Sequence, residues 1–186
     1  MNRRPAVFFD RDDTLIQDIP YLGDPAGVVL MPECGEALNT LREHGFRLFI
    51  VSNQSGVGRG LITLGQVDAV NAEIRRQLKG VAIDGIYCCY DDPRNPREHR
   101  RKPSPAMLFE ARDEHGLDLR RSYVVGDKLR DVQAGQNARC KAVYYCRARH
   151  TADDAKARTL ADYASESLAN IAAWICRDAA AAASTD

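Results

Sequence analysis

Two aspartates, Asp10 and Asp12, directly follow a short apolar run, Ala6–Phe9, near the start of the chain. If this run is a strand, side chains two residues apart point the same way, so both carboxylates face one space at the strand end. An ionised carboxylate there can attack phosphorus, and a second can exchange a proton with the leaving group. A lone aspartate at a strand end is usually a cap or turn residue, but this pair indicates nucleophile and metal chemistry.

Two more segments carry groups that suit a phosphoryl group. Ser52 and Asn53 end the second apolar run, where a hydroxyl and an amide can donate to phosphoryl oxygens. Lys102 stands before Pro103 and can neutralise charge on the transferring group. A lysine in a basic cluster is by default solvated, so we expect its replacement to reduce the rate more than the stability.

A fourth segment, Gly126 and Asp127, follows the apolar run 123–125. Asp127 is then a carboxylate at a strand end, which suits magnesium. Asp131 lies about one turn into the next predicted helix. It either contacts the residues that bind the metal without binding the metal itself, or it is an ordinary helix-start carboxylate. The sequence leaves both interpretations open.

Together these segments resemble the haloacid dehalogenase superfamily of phosphohydrolases. The strings FFDRDDTL, SNQSG, RKP and GDK are most similar to its heptose-bisphosphate and histidinol-phosphate phosphatase branch. The resemblance implies that Asp10 is the nucleophile, forming an aspartyl-phosphate, and that Asp12 is the general acid and base. It also implies Mg²⁺ held by Asp10, by the Asp12 backbone carbonyl and by Asp127. Ser52 and Lys102 complete the implied catalytic set.

The same resemblance implies a set of substrate contacts. Arg101 matches a substrate-recognising arginine, whose planar fork suits a second phosphate or a pair of sugar hydroxyls. Lys128 matches a position that contacts phosphate, and the segment 17–21 resembles a substrate-side Asp-x-x-Tyr loop. The full set of expected substrate contacts is Thr14, Asp18, Tyr21, Asn53, Gln54, Ser55, Arg101 and Lys128.

The chain departs from this family pattern at two places. Asp13 stands where the family usually has glycine, and we expect it at positive φ because aspartate tolerates that region better than most residues. Relatives also carry a zinc loop of thiols and imidazoles, of which Cys89 and a stray His99 remain. Structural zinc needs about four such ligands, so we expect no structural zinc.

The elements that must position these residues alternate along the chain, which is typical of an α/β fold with a three-layer, Rossmann-like parallel sheet flanked by helices. The gaps between motifs are too short for a cap domain. We predict strands at Ala6–Phe9, Phe46–Val51, Gly85–Tyr90, Tyr123–Val125, Lys141–Tyr145 and near Asp162–Ala164. We predict helices near Glu33–His44, Leu64–Leu78, Pro105–Glu114, Leu129–Asn137 and Ser165–Cys176.

Composition bounds the remaining possibilities. With 186 residues, one domain is expected over 1–177, followed by a frayed tail at 178–186. The 26 basic residues balance the 26 acidic ones, which makes nucleic acid a poor partner. No bilayer-length apolar run or signal peptide is evident, so we expect a cytoplasmic protein without a membrane partner, most simply a monomer.

The sequence therefore predicts a magnesium-dependent phosphatase acting on a phosphorylated sugar. The resemblance favours D-glycero-D-manno-heptose 1,7-bisphosphate, cleaved at C7. Histidinol phosphate is the alternative substrate, and a binding protein on a decayed phosphatase scaffold is the alternative of another class.

Overall fold

A computed structural model describes residues 3–95, 99–146 and 151–184 of the chain. Residues 1–2 and 185–186, at the two ends of the predicted domain and tail, lie outside the described residues. Apolar runs form six parallel strands, hydrogen-bonded in the order β3-β2-β1-β4-β5-β6. The strands are β1 (Ala6–Phe9), β2 (Arg47–Asn53), β3 (Gly85–Cys89), β4 (Tyr123–Gly126), β5 (Lys141–Tyr145) and β6 (Tyr163–Ser165).

Helices occupy most of the connections between strands. The Thr63–Gln66 pair forms a capping box, which satisfies the free amides where the third helix begins. The helices are α1 (Cys34–Glu43), α2 (Ser55–Gly58), α3 (Leu64–Gln77), α4 (Ala106–His115), α5 (Leu129–Asn137), α6 (Ala152–Leu160) and α7 (Leu168–Ala183), with short 3₁₀ turns at Pro25–Gly27 and Leu119–Arg121.

Both faces of the sheet are buried beneath helices. Val7 and Phe9 pack with α1, α3 and α7, whereas Phe8 points to the opposite face and packs with α4. Such two-sided burial explains why the strands are continuous apolar runs rather than alternating ones. The predicted three-layer α/β fold is confirmed, and the described connections contain no inserted cap domain.

The carboxyl ends of the central strands meet at one edge. Phe9 of β1 pairs with Ile50 of β2 on one side and with Val125 of β4 on the other. Asp10 therefore leaves the sheet between the ends of β2 and β4. In open parallel sheets this edge is where ligands bind.

The observed elements differ from the predicted ones mainly near the C-terminus. The polar, alanine-rich segment after 147 has no pattern that predicts a helix, yet Ala152–Leu160 is helical, with a capping box at Thr151. The apolar pattern predicts a last helix that ends at Cys176, whereas α7 continues to Ala183 through a run of alanines, the strongest helix former. The boundary expected at 177 thus falls inside a helix. None of the described helices has the length and apolarity needed to cross a membrane.

Candidate active site

A buried lysine joins two carboxylates at the carboxyl edge of the sheet. Lys102 Nζ lies 2.8 Å from Asp10 Oδ1 and 2.6 Å from Asp131 Oδ1, and it also donates to the Val51 carbonyl at 2.7 Å. The bonds to Asp10 and Val51 are well aligned, whereas the contact to Asp131 is an ion pair without hydrogen-bond alignment. Only 2% of Lys102 is exposed. The prediction that replacing Lys102 costs little stability assumed an exposed lysine, and that premise is wrong because packing encloses the ammonium.

The pKa values of the two carboxylates around Lys102 are shifted in opposite directions. Burial disfavours ionisation of Asp10, but the Lys102 ammonium, with Lys128 and Arg130, holds its pKa below the usual value. Burial raises the pKa of Asp131, and the nearby Asp10 charge adds to this while Lys102 opposes it. Lys102 itself has a raised pKa, since Asp10 and Asp131 outweigh the effect of its burial. Asp10 is thus ionised at neutral pH, as a nucleophile must be.

Three buried carboxylates converge at this point. Ligand atoms of Asp10, Asp127 and Asp131 lie within 4.8 Å of one another, the one such group among the described residues. Thr14 Oγ1 donates to Asp127 Oδ1 at 3.3 Å, and Lys128 Nζ lies 3.2 Å from Asp127 Oδ2. Hard oxygen donors of this kind fit Mg²⁺. Asp131 belongs to the cluster directly, which goes beyond the supporting role considered from the sequence.

Glycine at 126 is required by this cluster. A Cβ built on Gly126 would lie 2.4 Å from Asp131 Cβ. Asp131 Oδ2 accepts from the Lys128 amide at 3.0 Å, which fixes the first turn of α5 against the end of β4. The absence of a side chain at Gly126 therefore leaves room for Asp131, which contacts Lys102.

The second aspartate of the first motif is held in a polar network. Arg11 donates to Asp12 Oδ1 from Nη2 at 3.0 Å, and Gln54 Nε2 donates to Asp12 Oδ2 at 2.7 Å. Gln54 Nε2 also donates to Ser52 Oγ at 2.8 Å, which links the first two motifs. The Asp12 side chain is 18% exposed and borders an open cavity. Its carboxylate can thus meet a substrate.

Reciprocal hydrogen bonds fix the loop that carries Lys102. The Lys102 amide donates to Asn53 Oδ1 at 3.0 Å, and Asn53 Nδ2 donates to the Lys102 carbonyl at 3.2 Å. The Asn53 side chain is thus engaged with this loop. It was expected to contact substrate, and it still borders the cavity.

Asp13, which replaces the usual glycine, has φ 59°, as the sequence predicted. Its Oδ1 accepts from the Asp18 amide at 3.3 Å. A carboxylate thereby connects the catalytic loop to the segment expected to contact substrate.

The cavity beside Asp12 has a volume of about 240 Å³. Tyr21 on its rim is 43% exposed, and its hydroxyl accepts from Arg59 Nη1 at 2.7 Å. The expected contacts Asp18, Tyr21, Asn53, Gln54 and Ser55 are brought together here. The lining is Arg11, Asp12, Asp18, Ile19, Pro20, Tyr21, Leu22, Asn53, Gln54, Ser55, Gly56 and Arg130.

Three polar residues near the site were missed by sequence reasoning. Arg11 is 1% exposed and donates from Nη1 to Asn71 Oδ1 of α3 at 3.2 Å. Arg130, in the first turn of α5, lines the cavity, and the burial of its Nε was not foreseeable from local pattern. The one available signal was position, since Arg11 and Arg130 both lie inside motifs that had been recognised.

Comparison with known proteins gives a consistent picture. A family model described as HAD-hydrolase-like matches residues 99–171. The chain is 40% identical over 142 residues to the D-glycero-beta-D-manno-heptose-1,7-bisphosphate 7-phosphatase of Mesorhizobium japonicum, which covers 72% of this chain and 65% of the relative. It is 34% identical over 175 residues to the same enzyme of Salmonella typhi, covering 90% of this chain and 93% of the relative.

A solved structure agrees with these relatives. The D,D-heptose 1,7-bisphosphate phosphatase of B. bronchiseptica, complexed with magnesium and phosphate, superposes with a TM-score of 0.80 at 25% identity. The match covers 94% of this chain and 99% of that one. The chain therefore belongs to the haloacid dehalogenase superfamily, in the family of D-glycero-D-manno-heptose-1,7-bisphosphate 7-phosphatases.

Proposed function

We propose that this phosphatase hydrolyses the C7 phosphate of D-glycero-D-manno-heptose 1,7-bisphosphate. The observation that carries the proposal is the buried cluster of Asp10, Lys102, Asp127 and Asp131 beside Asp12 and an open polar cavity. The relatives named for this activity match most of the chain. The expected catalytic residues all lie at one edge of the sheet, which argues against a decayed binding protein.

In the proposed reaction, Asp10 Oδ attacks phosphorus while the bond from phosphorus to the C7 oxygen breaks. Asp12 gives a proton to the leaving oxygen and later takes one from the water that hydrolyses the aspartyl-phosphate. Lys102 and the Ser52 hydroxyl stabilise charge on the phosphoryl oxygens. Arg11 and Gln54 hold the Asp12 carboxylate in place beside the cavity.

We further propose Mg²⁺ as the cofactor, held by Asp10, Asp127, the Asp12 carbonyl and Asp131. The bound ion would neutralise charge on the transferring phosphoryl group. The three converging carboxylates support this assignment. We also expect the enzyme to act as a cytoplasmic monomer on its small phosphorylated sugar.

The test is side-by-side turnover of heptose 1,7-bisphosphate and histidinol phosphate by the purified protein with Mg²⁺. We expect kcat/KM to favour the heptose substrate, and a preference for histidinol phosphate would overturn the named substrate. Asp10→Asn is the control, because an amide of nearly the same shape is a poor nucleophile. Phosphate release that survives this substitution would remove Asp10 as the nucleophile.

A further inference from the structure

One arginine in the active-site cavity, Arg130, contacts no group assigned to the reaction above, although its charge helps to lower the pKa of Asp10. Arg130 is the second residue of α5, two positions after the N-cap Lys128. Cations are disfavoured in the first turn of a helix, because the free amides there already concentrate positive potential. Arg130 therefore weakens its own helix. Asp10 and Asp131 offset part of this charge, and an anion bound at the helix end, near Lys128 and Arg130, would offset more of it.

The hydrogen bonding of Arg130 also indicates that this side chain binds an anion. Its Nε is buried and has no hydrogen-bond partner among the described residues, and the same is true of Arg101 Nη1. A buried donor without a partner is costly, and most such groups in folded proteins are satisfied. Two guanidinium donors left unsatisfied near one site suggest a ligand that supplies oxygen atoms.

Arg101 and Arg130 also act on each other. After burial, the charge of Arg130 is the largest influence lowering the pKa of Arg101. Two like charges repel, and an anion bound by both side chains would reduce that repulsion. Arg59 also contributes, but it already donates to the Tyr21 hydroxyl and lies 3.6 Å from Asp92 Oδ1.

We infer that Arg130 binds the second phosphate of the substrate together with Arg101, and thereby makes the enzyme select bisphosphates over monophosphates. This inference rests on the proposed function. The proposed partner of the transferring phosphate is Lys102 at the sheet edge, whereas Arg130 lines the open cavity together with Asp12, Gln54 and Ser55. Planar guanidinium forks bind phosphate oxygens in pairs, so two of them can hold a phosphate in a fixed direction.

The experiment compares kcat/KM for heptose 1,7-bisphosphate with that for heptose 7-phosphate, which lacks only the second phosphate. In Arg130→Gln the ratio should fall about tenfold or more, the effect of losing a charged hydrogen bond. Arg130→Lys should restore part of it. Arg120→Gln is the matched control, since it removes an exposed arginine from the 3₁₀ turn before β4 and should leave the ratio unchanged.

Two results would overturn the inference while the proposed function stands. One is an unchanged ratio in Arg130→Gln. The other is an equal loss on both heptose substrates and on an aryl phosphate, which would place Arg130 at the transferring phosphate instead. A binding readout separates affinity from rate: in the Asp10→Asn background, calorimetry with intact bisphosphate should show the same weakening on adding Arg130→Gln.

Failure of the proposed function would give a different pattern. The wild-type enzyme would then prefer histidinol phosphate, and the heptose substrates would be poor. Fructose 1,6-bisphosphate against fructose 6-phosphate then serves as the substrate pair. A wild-type preference for the bisphosphate that Arg130→Gln abolishes would keep the inference, and the absence of any preference would end it.

Discussion

At the scale of single residues, Lys102 is the centre of the site. It lies 92 positions from Asp10 in sequence, yet its ammonium contacts Asp10 and Asp131 inside the protein. A buried ion pair is a weak source of net stability, but removing one partner leaves an uncompensated buried charge. Here two carboxylates would be left.

Lys102→Ala should therefore lower both activity and stability. We expect turnover to fall about 100-fold or more, because a preorganised charge on the phosphoryl group is lost. The free energy of unfolding of the metal-free protein should fall by about 3–5 kcal/mol. Urea unfolding in EDTA measures this, with the exposed Lys156→Ala as control. Adding Asp131→Asn should recover part of the loss, and purely additive effects would contradict the proposed coupling.

Asp13 combines two opposing residue-scale effects. Its left-handed φ of 59° costs about 1 kcal/mol for a non-glycine residue, while glycine would lose a similar amount through its freedom in the unfolded chain. Asp13→Gly should thus change the melting temperature little. Loss of the bond from the Asp18 amide should instead raise KM for the sugar substrate. An unchanged KM would show that this contact does not order the substrate segment.

At the scale of elements, the junction of β4 and α5 decides the shape of the metal cluster. Gly126→Ala would place a methyl group against Asp131, so we expect a loss of about 1–3 kcal/mol and weaker Mg²⁺ binding. Gly35→Ala in α1 is the control, since nothing lies within 4 Å of its added Cβ. That variant should gain up to about 1 kcal/mol. Thermal unfolding and Mg²⁺ titration measure both variants, and equal behaviour would contradict the steric argument.

The prediction about zinc concerns the loop between β3 and α4. Without zinc, the prolines and charged pairs of Arg94, Arg97 and Glu98 are expected to fix the shape of this loop, and Arg97 and Glu98 lie outside the described residues. Cys89 ends β3 fully buried, and His99 is exposed. We expect purified protein to carry substoichiometric zinc and to regain activity on adding Mg²⁺ alone. Metal analysis checks this, and a full equivalent of zinc or unfolding by chelator would show further ligands.

At the scale of the whole molecule, helix α7 packs on one face of the sheet that carries the site. Trp174 stacks on Tyr163 with ring centroids 4.8 Å apart, and the Tyr123 hydroxyl donates to Asp178 Oδ2 at 2.6 Å. Lys141 Nζ lies 2.6 Å from Asp178 Oδ1. The last turns of the helix are therefore tied to β4 and β5.

Ending the chain after residue 177 should destabilise the protein by about 1–3 kcal/mol, because the Tyr123 hydroxyl would lose its partner. A chain ending at Ala183 is the matched control and should unfold like the full-length protein. Denaturant midpoints of the two truncated chains decide the matter. Equal midpoints would mean that the last turns of α7 contribute nothing.

The sequence alone predicted each strand to within two residues of its observed ends, and it singled out Ser52, Lys102, Asp127 and the aspartates of the first motif. These follow from local apolar runs and short polar strings, which need no knowledge of distant neighbours. The sequence pattern did not predict helix α6, because the apolar face of this helix is narrow. The predicted end of α7 came too early, because an alanine run has little hydrophobic pattern.

Only the tertiary structure decided how deeply these groups are buried and which of them meet. Burial of Lys102, the inclusion of Asp131 in the carboxylate cluster and the unpaired donors of Arg101 and Arg130 all depend on β1, β4 and α5 packing together. The physical reason is that charge energies depend on distance and solvent exposure, and residues far apart in sequence set both.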